Sequence, residues 1–305
     1  MDKTPLCNKK SLKLLAVTSS FGMNTTELLY EIAKAHGYEN VVVARLYGSG
    51  CTLEKHVNNF RNNLPFYMYT KKDDSGYRSE CDPIFPEGKK DESGNYIVEG
   101  ATLQYGLEDE DWDIIFVQQG ADNAGNLPSY GDYVDQLMPY LKANSKPNAK
   151  FVWNMTWAFQ SGVERASFAR YHNNDQIRMY NDIVAAVKEK ILPRTDFDAI
   201  IPSGTAIQNA RTSYFGDKMC IDWRDDLIHL NTLGRVISGY TLFATLTGKP
   251  LTEIAITEIA KASTPETRPL TLSEMDKQVI IEAVNNAIVS PFEITPSQYK
   301  QNEGE

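Results

Sequence analysis

Short apolar runs alternate with longer amphipathic segments along most of the chain. The apolar runs, which predict buried strands, lie at 12–17, 40–46, 113–118, 150–157 and 199–202. Segments with apolar positions at helical spacing lie at 24–36, 52–63, 132–142, 175–191 and 232–246, and Asn24 is predicted as the N-cap of the first. Because strands that alternate with helices form parallel sheets covered on both faces, this pattern predicts an α/β fold of three layers.

Three regions fall outside this alternation. Residues 71–100 are polar and rich in turn-forming residues, which predicts an inserted hairpin and not a second domain. Residues 1–10 precede the first strand as an extension, and a C-terminal helical extension is expected from about residue 251. Its helix is predicted to begin at a capping box over 271–274. We therefore predict a single domain over 11–305 that carries both the hairpin and the C-terminal extension.

The composition excludes several classes of function. The 305 residues carry a formal net charge of −9, whereas phosphate binding requires a basic surface, so nucleic acid is not an expected partner. No apolar run approaches the roughly 18 residues of a membrane span. The cysteines, Cys7, Cys51, Cys81 and Cys220, form no CxxC pair, which favours free thiols. As the sequence stands it predicts a cytoplasmic protein, or a periplasmic or secreted one if a signal peptide has been removed, and it leaves the oligomeric state open.

The loops that follow the predicted strands carry the candidate chemistry. Parallel α/β sheets bind their ligands at the carboxyl ends of the strands. There the sequence has hydroxyl groups at 18–20, small residues at 48–52, amides at 118–123 and an acid with a histidine at 226–229. A nucleophilic serine requires a base that takes its proton and donors that stabilise the oxyanion. Together these loops contain all of those groups.

His229 is the strongest candidate for the base among four histidines. His36 ends a predicted helix, where a cation suits the helix dipole, while His56 and His172 lie on a helix and in a polar loop. His229 follows Asp226 by three residues, a spacing that lets the carboxylate hold the imidazole in the required tautomer. The alternative is that this pair only begins a helix. The absence of a G-x-S-x-G elbow from the sequence disfavours the α/β-hydrolase fold proper.

Three longer strings are more specific than these single blocks. They are Leu46-Tyr-Gly-Ser-Gly-Cys-Thr-Leu-Glu-Lys-His56, Trp112-Asp-Ile-Ile-Phe-Val-Gln-Gln119 and the stretch GTAIQNARTS at 204–213. With the order of the blocks, they resemble the SGNH, or GDSL-type, hydrolase superfamily, and within it a branch whose first block reads Gly-Asn-Ser-Phe. The resemblance covers about residues 12–250 and implies a flavodoxin-like parallel sheet with helices on both faces.

The resemblance also implies a catalytic set. Ser20 would be the nucleophile, Asp226 the acid and His229 the base. The first block differs from the family pattern, because Thr18-Ser19 replaces the Gly-Asp or Gly-Asn pair. Two adjacent serines therefore compete for the role of nucleophile, and Ser20 is preferred over Ser19.

An oxyanion hole is implied in the same way. Its donors would be the backbone N–H groups of Ser20 and Gly50 and the side-chain amide of Asn123, which matches the third block of the family. Gln119 is the alternative source of that amide. Gln208, Asn209 and Arg211 either line the pocket and bind substrate hydroxyls or hydrogen-bond the loop backbone, and the two alternatives are equally weighted.

These features predict an esterase or deacetylase that uses neither a metal nor a cofactor. The resemblance implies an acylated carbohydrate, or another small ester, as its substrate. One alternative is a carbohydrate-binding protein that has lost activity, which the unusual first block motivates. Another is a metal site for phosphoester hydrolysis, formed by Asp222, Asp225, Asp226 and His229. Residues 71–100 would form a lid or rim over the pocket.

Overall fold

Seven strands of the described residues form one sheet. The structure, a computed structural model, describes residues 4–8, 10–81, 100–221, 226–259 and 268–300. The strands are β1 (Ser11–Thr18), β2 (Asn40–Tyr47), β3 (Met68–Asp73), β4 (Gly76–Cys81), β5 (Ile114–Val117), β6 (Lys150–Asn154) and β7 (Ala199–Ile201). They lie in the order β4-β3-β2-β1-β5-β6-β7. A separate two-stranded ladder pairs β8 (Glu258–Ile259) with β9 (Leu270–Thr271).

The five neighbouring strands from β2 to β7 in the sheet are parallel, as the sequence predicts. Its order, β2-β1-β5-β6-β7, is the 2-1-3-4-5 order of flavodoxin-like folds. Most side chains of β1, β2, β5 and β6 are buried, because helices cover both faces of the sheet. The predicted fold class, a three-layer flavodoxin-like α/β sandwich, is confirmed.

The helices pack in two layers. They are α1 (Ser20–Thr26), α2 (Leu29–Ala35), α3 (Leu53–Arg61), α4 (Leu103–Glu108), α5 (Tyr133–Ala143), α6 (Ala166–His172), α7 (Gln176–Lys190), α8 (Ser203–Arg211), α9 (Thr232–Thr247) and α10 (Glu274–Val289). The connection from β1 to β2 runs toward one edge of the sheet, and the connections from β5 to β7 run toward the other edge. Because such crossovers are right-handed, α1 and α2 lie on the face opposite α5, α6 and α7. α8, α9 and α10 join the layer of α1 and α2. No helix within the described residues is long and apolar enough to cross a membrane.

An antiparallel hairpin extends the sheet at the β2 edge. β3 pairs with β2, and β4 pairs with β3, so the sheet is mixed and not wholly parallel. The hairpin begins at Met68, before the predicted insertion of 71–100, because the first residues of β3 are buried against β2. Residues 82–99, the greater part of that predicted insertion, lie outside the described residues.

The first helix begins earlier than its sequence pattern predicts. α1 starts at Ser20, with only Ser19 between it and the end of β1. Asn24, predicted to cap a helix over 24–36, is instead buried inside α1. Its Oδ1 accepts a hydrogen bond of 3.0 Å from the N–H of Leu230. The N-cap prediction was wrong because this side chain satisfies a backbone group that is distant in sequence.

The last helix has a capping box, but two residues later than predicted. Thr271 lies in β9, and the N-cap of α10 is Ser273. The Ser273 hydroxyl accepts a hydrogen bond from the N–H of Asp276, whose carboxylate accepts one from the N–H of Ser273. The reciprocal pair satisfies two N–H groups at the start of α10, which packs on α8 and α9.

A buried ion pair fastens α9 to the first helical region. Arg235 is fully buried, and its Nη1 lies 2.6 Å from Oε2 of Glu27, the C-cap residue of α1. Its Nε donates a hydrogen bond of 2.7 Å to the carbonyl of Leu230. One guanidinium group therefore holds both α1 and the start of α9 in place. Because buried charges are costly without their partners, this pair constrains the packing strongly.

Glu27→Gln is expected to reduce the free energy of unfolding by about 3 kcal/mol, since it leaves the buried guanidinium of Arg235 without its carboxylate. Urea unfolding measures this loss. Glu274→Gln is the control, because the Glu274 side chain is 85% exposed beside Lys277. The control should change the free energy of unfolding by less than about 0.5 kcal/mol. Equal losses in the two variants would contradict the role assigned to the buried pair.

Candidate functional site

A pocket of about 610 Å³ lies at the carboxyl ends of β1, β2 and β5. Five segments of the chain line it, and they include residues from all four segments in which the sequence placed candidate chemistry. Its lining residues are Ser19, Ser20, Phe21, Tyr47, Ser49, Gly50, Thr52, Gly120, Ala121, Asp122, Val163, Glu164, Arg165, Asp226, Leu227, Ile228 and His229. The pocket has the position that ligands occupy in parallel α/β sheets.

The structure brings Ser20, His229 and Asp226 into one hydrogen-bonded chain. Oγ of Ser20 lies 2.7 Å from Nε2 of His229, and Nδ1 of His229 lies 2.5 Å from Oδ2 of Asp226. Ser20 is the first residue of α1, so its backbone N–H has no acceptor within the helix. The three side chains therefore have the connectivity of a nucleophile, a base and an orienting acid.

Ser19 has a different environment. It is 1% exposed, and its Oγ accepts a hydrogen bond of 3.1 Å from Nε2 of Gln118. Oε1 of Gln118 accepts one from Nδ2 of Asn154, whose Oδ1 accepts one from the hydroxyl of Ser203. The Ser19 hydroxyl thus belongs to a buried polar chain beneath the pocket, while the Ser20 hydroxyl faces His229.

Hydrogen bonds to the carboxylate of Asp226 favour its ionised form. Burial alone would raise the pKa of its carboxyl, but hydrogen bonds from the imidazole and N–H of His229 and from the N–H of Ile228 oppose this. Their net effect holds the pKa of Asp226 well below its ordinary value. A carboxylate that stays ionised can stabilise an imidazolium on His229.

The loop that carries His229 is held from several sides. Asn24 binds the N–H of Leu230, and the indole N–H of Trp157 donates to the carbonyl of Ile228 at 2.9 Å. Trp157 also stacks on Phe21, with ring centroids 4.1 Å apart. Phe21 in turn contacts the imidazole of His229 edge-on, at a centroid distance of 5.7 Å. These contacts fix the imidazole relative to the start of α1.

Gly50 lines the pocket in a turn that requires glycine. Its φ of +55° lies in the left-handed region that side chains with a Cβ disfavour. A Cβ at this position would meet no atom within 4 Å, so the requirement comes from the backbone conformation and not from lack of space. The turn places this segment of the chain beside Ser20 at the pocket wall.

The predicted amide of the third block is absent from the pocket. Asn123 ends a short 3₁₀ turn over Ala121–Asn123 and does not line the pocket, whereas Gly120, Ala121 and Asp122 do. The 3₁₀ turn places Asp122, and not Asn123, at the pocket wall. Oδ1 of Asn123 instead faces the amide of Asn126. The structure therefore does not place Asn123 at this wall, and its assignment to the oxyanion hole stays a prediction.

Gln119, the alternative amide, has a structural role. It is 1% exposed, and its Oε1 accepts hydrogen bonds from the N–H groups of Leu53 and Gly120, at 3.0 and 2.8 Å. Its Nε2 donates to the carbonyl and hydroxyl of Ser129. Both ends of the side-chain amide are therefore engaged in joining the loop after β5 to the start of α3.

The predicted substrate-binding residues also lie away from the pocket. Gln208, Asn209 and Arg211 are buried on α8, and none lines the pocket. Asn209 bonds the carbonyl of Ala283 and the N–H of Thr295, so it joins α8 to α10 and the segment that follows it. For Asn209 these contacts favour the structural alternative, and none of the three residues lies at the wall of this pocket.

Arg211 and Gln208 contact each other, and Arg211 pairs with Asp217. Nη1 of Arg211 donates to Oε1 of Gln208 at 2.9 Å, and Nε of Arg211 pairs with Asp217 at the same distance. Asp217 accepts hydrogen bonds from Gln176 and from the N–H of Ser161. The GTAIQNARTS stretch thus stabilises the base of the loops that frame the pocket.

An ion pair at the pocket wall was not predicted from the sequence. Nε and Nη2 of Arg165 bind the two carboxylate oxygens of Asp122 at 2.5 and 2.6 Å. The hydroxyl of Ser167 also donates to Asp122. Burial would raise the pKa of Asp122, but Arg165 and Ser167 hold it below its ordinary value, with a smaller contribution from His229. Asp122 lies within the third block, but nothing in the sequence near Arg165 indicates its partner 43 residues earlier.

The other candidates for a base or a metal ligand lie elsewhere. His56 is fully buried, and burial lowers the pKa of its imidazole to about 3. His172 is buried against Asp182, at 2.8 Å. Of the proposed acidic cluster, Asp222 and Asp225 lie outside the described residues. The described part of the chain contains no group of three or more His, Cys, Asp or Glu side chains that could hold a metal ion.

The comparisons with known proteins identify a family. A sequence model of the family described as "Domain of unknown function (DUF4886)" matches residues 13–268. The crystal structure of a DUF4886 family protein from Bacteroides uniformis ATCC 8492 has a TM-score of 0.78 and 30% identity, over 95% of this chain and 99% of that chain. A protein from Slackia heliotrinireducens, provisionally described as an SGNH hydrolase, has a TM-score of 0.45 and 17% identity, over 78% and 100% of the two chains. No curated protein matches the chain.

Gln119→Ala is expected to reduce the free energy of unfolding by about 2 kcal/mol, because it removes the acceptor of two buried N–H groups. Urea unfolding measures the loss. Asn123→Ala is the matched control, since the Asn123 side chain has one weak contact of 3.4 Å, with Asn126. A larger loss of stability in Asn123→Ala than in Gln119→Ala would contradict the structural role assigned to Gln119.

Proposed function

This chain belongs to the DUF4886 family, and we propose that it is a hydrolase that cleaves an ester with Ser20 as its nucleophile. The observation that carries the proposal is the hydrogen-bonded chain from Ser20 through His229 to Asp226 at the wall of an open pocket. A buried structural histidine needs no serine hydroxyl beside a cavity. Nucleophilic catalysis requires that arrangement.

In the proposed mechanism, His229 takes the proton of the Ser20 hydroxyl as its oxygen attacks the ester carbonyl. The C–O bond of the ester breaks as the tetrahedral intermediate collapses, and His229 gives the proton to the departing alcohol oxygen. Water then attacks the acyl-enzyme with His229 again as the base, which releases the acid and regenerates Ser20. Asp226 holds the imidazole by its Nδ1 and stabilises its positive charge throughout.

The oxyanion is proposed to accept hydrogen bonds from the backbone N–H groups of Ser20 and Gly50. Ser20 supports this role because it is the first residue of α1, where the helix dipole favours negative charge. Gly50 supports it because its turn borders the same pocket. Donors fixed in the folded backbone stabilise the transition state without reorganisation. The amide of Asn123 is not part of this proposal.

The proposed substrate is an acylated carbohydrate or a similar small polar ester. The resemblance to SGNH hydrolases suggests this class, and the pocket supports it with hydroxyl and charged groups, among them Ser49, Thr52, Asp122 and Arg165. Gly50, Gly120 and Ala121 line the same pocket as Ser20, and their small size favours a small acyl group there. No metal or cofactor enters the proposed reaction.

A fluorophosphonate probe is expected to modify Ser20, because the probe requires a serine that a neighbouring base activates. Peptide mass spectrometry locates the modified residue. Ser20→Ala should abolish labelling, while Ser19→Ala should retain it, since the Ser19 hydroxyl bonds Gln118 away from His229. Labelling that persists in Ser20→Ala would move the nucleophile elsewhere. If the wild-type protein were neither labelled nor active on short esters, the carbohydrate-binding alternative would be favoured.

Asp226→Asn is expected to reduce kcat at least about tenfold, because an amide can hold the imidazole in the wrong tautomer. Initial rates with p-nitrophenyl acetate measure this effect at neutral pH. An unchanged kcat would show that Asp226 only stabilises the loop through the N–H groups of Ile228 and His229.

The free energy of unfolding provides the control for this variant. The pKa of Asp226 is lower in the folded state than in the unfolded state. Its ionised form therefore stabilises the fold above the unfolded-state pKa of about 3.9, and the contribution is lost as the pH falls through the folded-state pKa. The stability difference between wild type and Asp226→Asn should accordingly shrink as the pH is lowered below about 4.

A further inference from the structure

The side chain of Arg165 is fixed at the pocket wall from two directions. Its Nε and Nη2 are bound by the carboxylate of Asp122, and its guanidinium carbon lies 5.9 Å from the centroid of the Phe159 ring. Phe159 is fully buried, so this ring is itself immobile. Nη1 has no hydrogen-bond partner within the described part of the chain. Its two N–H groups are therefore available to a ligand in a fixed position.

Arg165 lies on the side of the pocket that a departing alcohol would occupy. The alcohol oxygen must receive its proton from Nε2 of His229, so the alcohol part of the substrate lies beside the 226–229 loop. The segment over 157–165 runs along that loop, because the Trp157 indole bonds the carbonyl of Ile228 and the N–H of Gln160 bonds the carbonyl of Leu227. Arg165 ends this segment.

A second depression continues from the same wall. It has a volume of about 460 Å³ and shares Val163, Glu164 and Arg165 with the pocket that holds Ser20. Its other wall is formed by the first residues of α6 and by Asn174. A substrate whose alcohol part extends beyond one ring could therefore pass over Arg165 without leaving the protein surface.

The charges near Arg165 favour a neutral partner. Asp122 already compensates the charge of the guanidinium group, and Asp226 and Glu164 add negative charge at the same wall. A carboxylate or phosphate on the substrate would be repelled by these acids. Hydroxyl and ether oxygens accept hydrogen bonds from Nη1 without adding charge.

We propose that Arg165, held by Asp122, binds the hydroxyl oxygens of the alcohol part of the substrate and so selects esters of polyhydroxylated alcohols over esters of alkyl alcohols. This inference rests on the proposed ester hydrolysis at Ser20. Arg165 is a specificity-determining residue that contacts the substrate, and Asp122 is a positioning residue that acts through it.

Two acetate esters with six-carbon alcohols test this preference. 6-O-Acetylglucose and n-hexyl acetate share the acyl group and a primary alcohol oxygen, and they differ in the hydroxyl groups that Arg165 would bind. Acetate release from both gives kcat and KM for the wild-type enzyme. We expect a KM for 6-O-acetylglucose at least about tenfold below that for n-hexyl acetate, the difference that one charge-assisted hydrogen bond supplies.

Arg165→Gln should raise the KM for 6-O-acetylglucose about tenfold and change that for n-hexyl acetate less than about twofold, with kcat unchanged for both. Arg165→Lys should behave similarly, because lysine keeps the charge but not the planar fork that Asp122 holds. Arg170→Gln is the matched control. Arg170 lies on α6 near the ring of Tyr171 and outside both depressions, so neither KM should change.

Fluorophosphonate labelling of Ser20 in each variant separates the two proposals. Labelling at the wild-type rate with a selective rise in KM for 6-O-acetylglucose supports the role of Arg165. Retained labelling with equal kinetic changes for both esters, or with none, overturns that role and leaves the proposed hydrolysis intact. Absence of labelling and turnover in the wild-type protein overturns both proposals.

Discussion

The attachment of the 226–230 loop to the start of α1 is the constraint on which the candidate site depends. Ser20 and His229 are 209 residues apart in sequence, yet their side chains lie within one hydrogen bond of each other. Arg235 secures both sides of this junction, since it binds Glu27 at the end of α1 and the carbonyl of Leu230 in the loop. Asn24 adds a bond to the N–H of Leu230. Asn24, Glu27, Leu230 and Arg235 are all buried, so water cannot replace these bonds and the junction is rigid.

A chain of polar side chains at the carboxyl ends of the strands supports that junction from within the sheet. Ser19, Gln118, Asn154 and Ser203 follow or end β1, β5, β6 and β7, and each bonds the next in the order of those strands across the sheet. Sequence position alone could not separate Ser19 from Ser20, because both follow the same strand. The start of α1 at Ser20 separates them, since it turns one hydroxyl inward and the next toward His229.

The sequence predicts well the features that periodicity and short-range spacing determine. The order of strands and helices follows from apolar patterning, and the contact of Asp226 with His229 follows from a spacing of three residues. Features that depend on contacts between residues distant in sequence were harder to predict. A buried amide such as Gln119 and a pocket amide look alike in sequence, because both need partners that the sequence does not indicate. The antiparallel pairing of β3 with β2 and the ion pair of Arg165 with Asp122 were not predicted for the same reason, because the sequence does not indicate which segments pair.

The loop beside His229 also carries local strain, which bears on how the proposed chemistry is organised. Leu227 has a φ of +60°, a conformation that costs a residue with a Cβ about 1 kcal/mol or more. Hydrogen bonds from Gln160 to Leu227 and from Trp157 to Ile228 offset this cost. The loop is therefore held in place before any substrate binds, as electrostatic preorganisation requires. In contrast, the side chain of Arg165 is 41% exposed. Under the proposed ester hydrolysis, substitutions at that exposed wall would change which alcohol fits the site, because they leave the buried contacts that align Ser20 with His229 undisturbed.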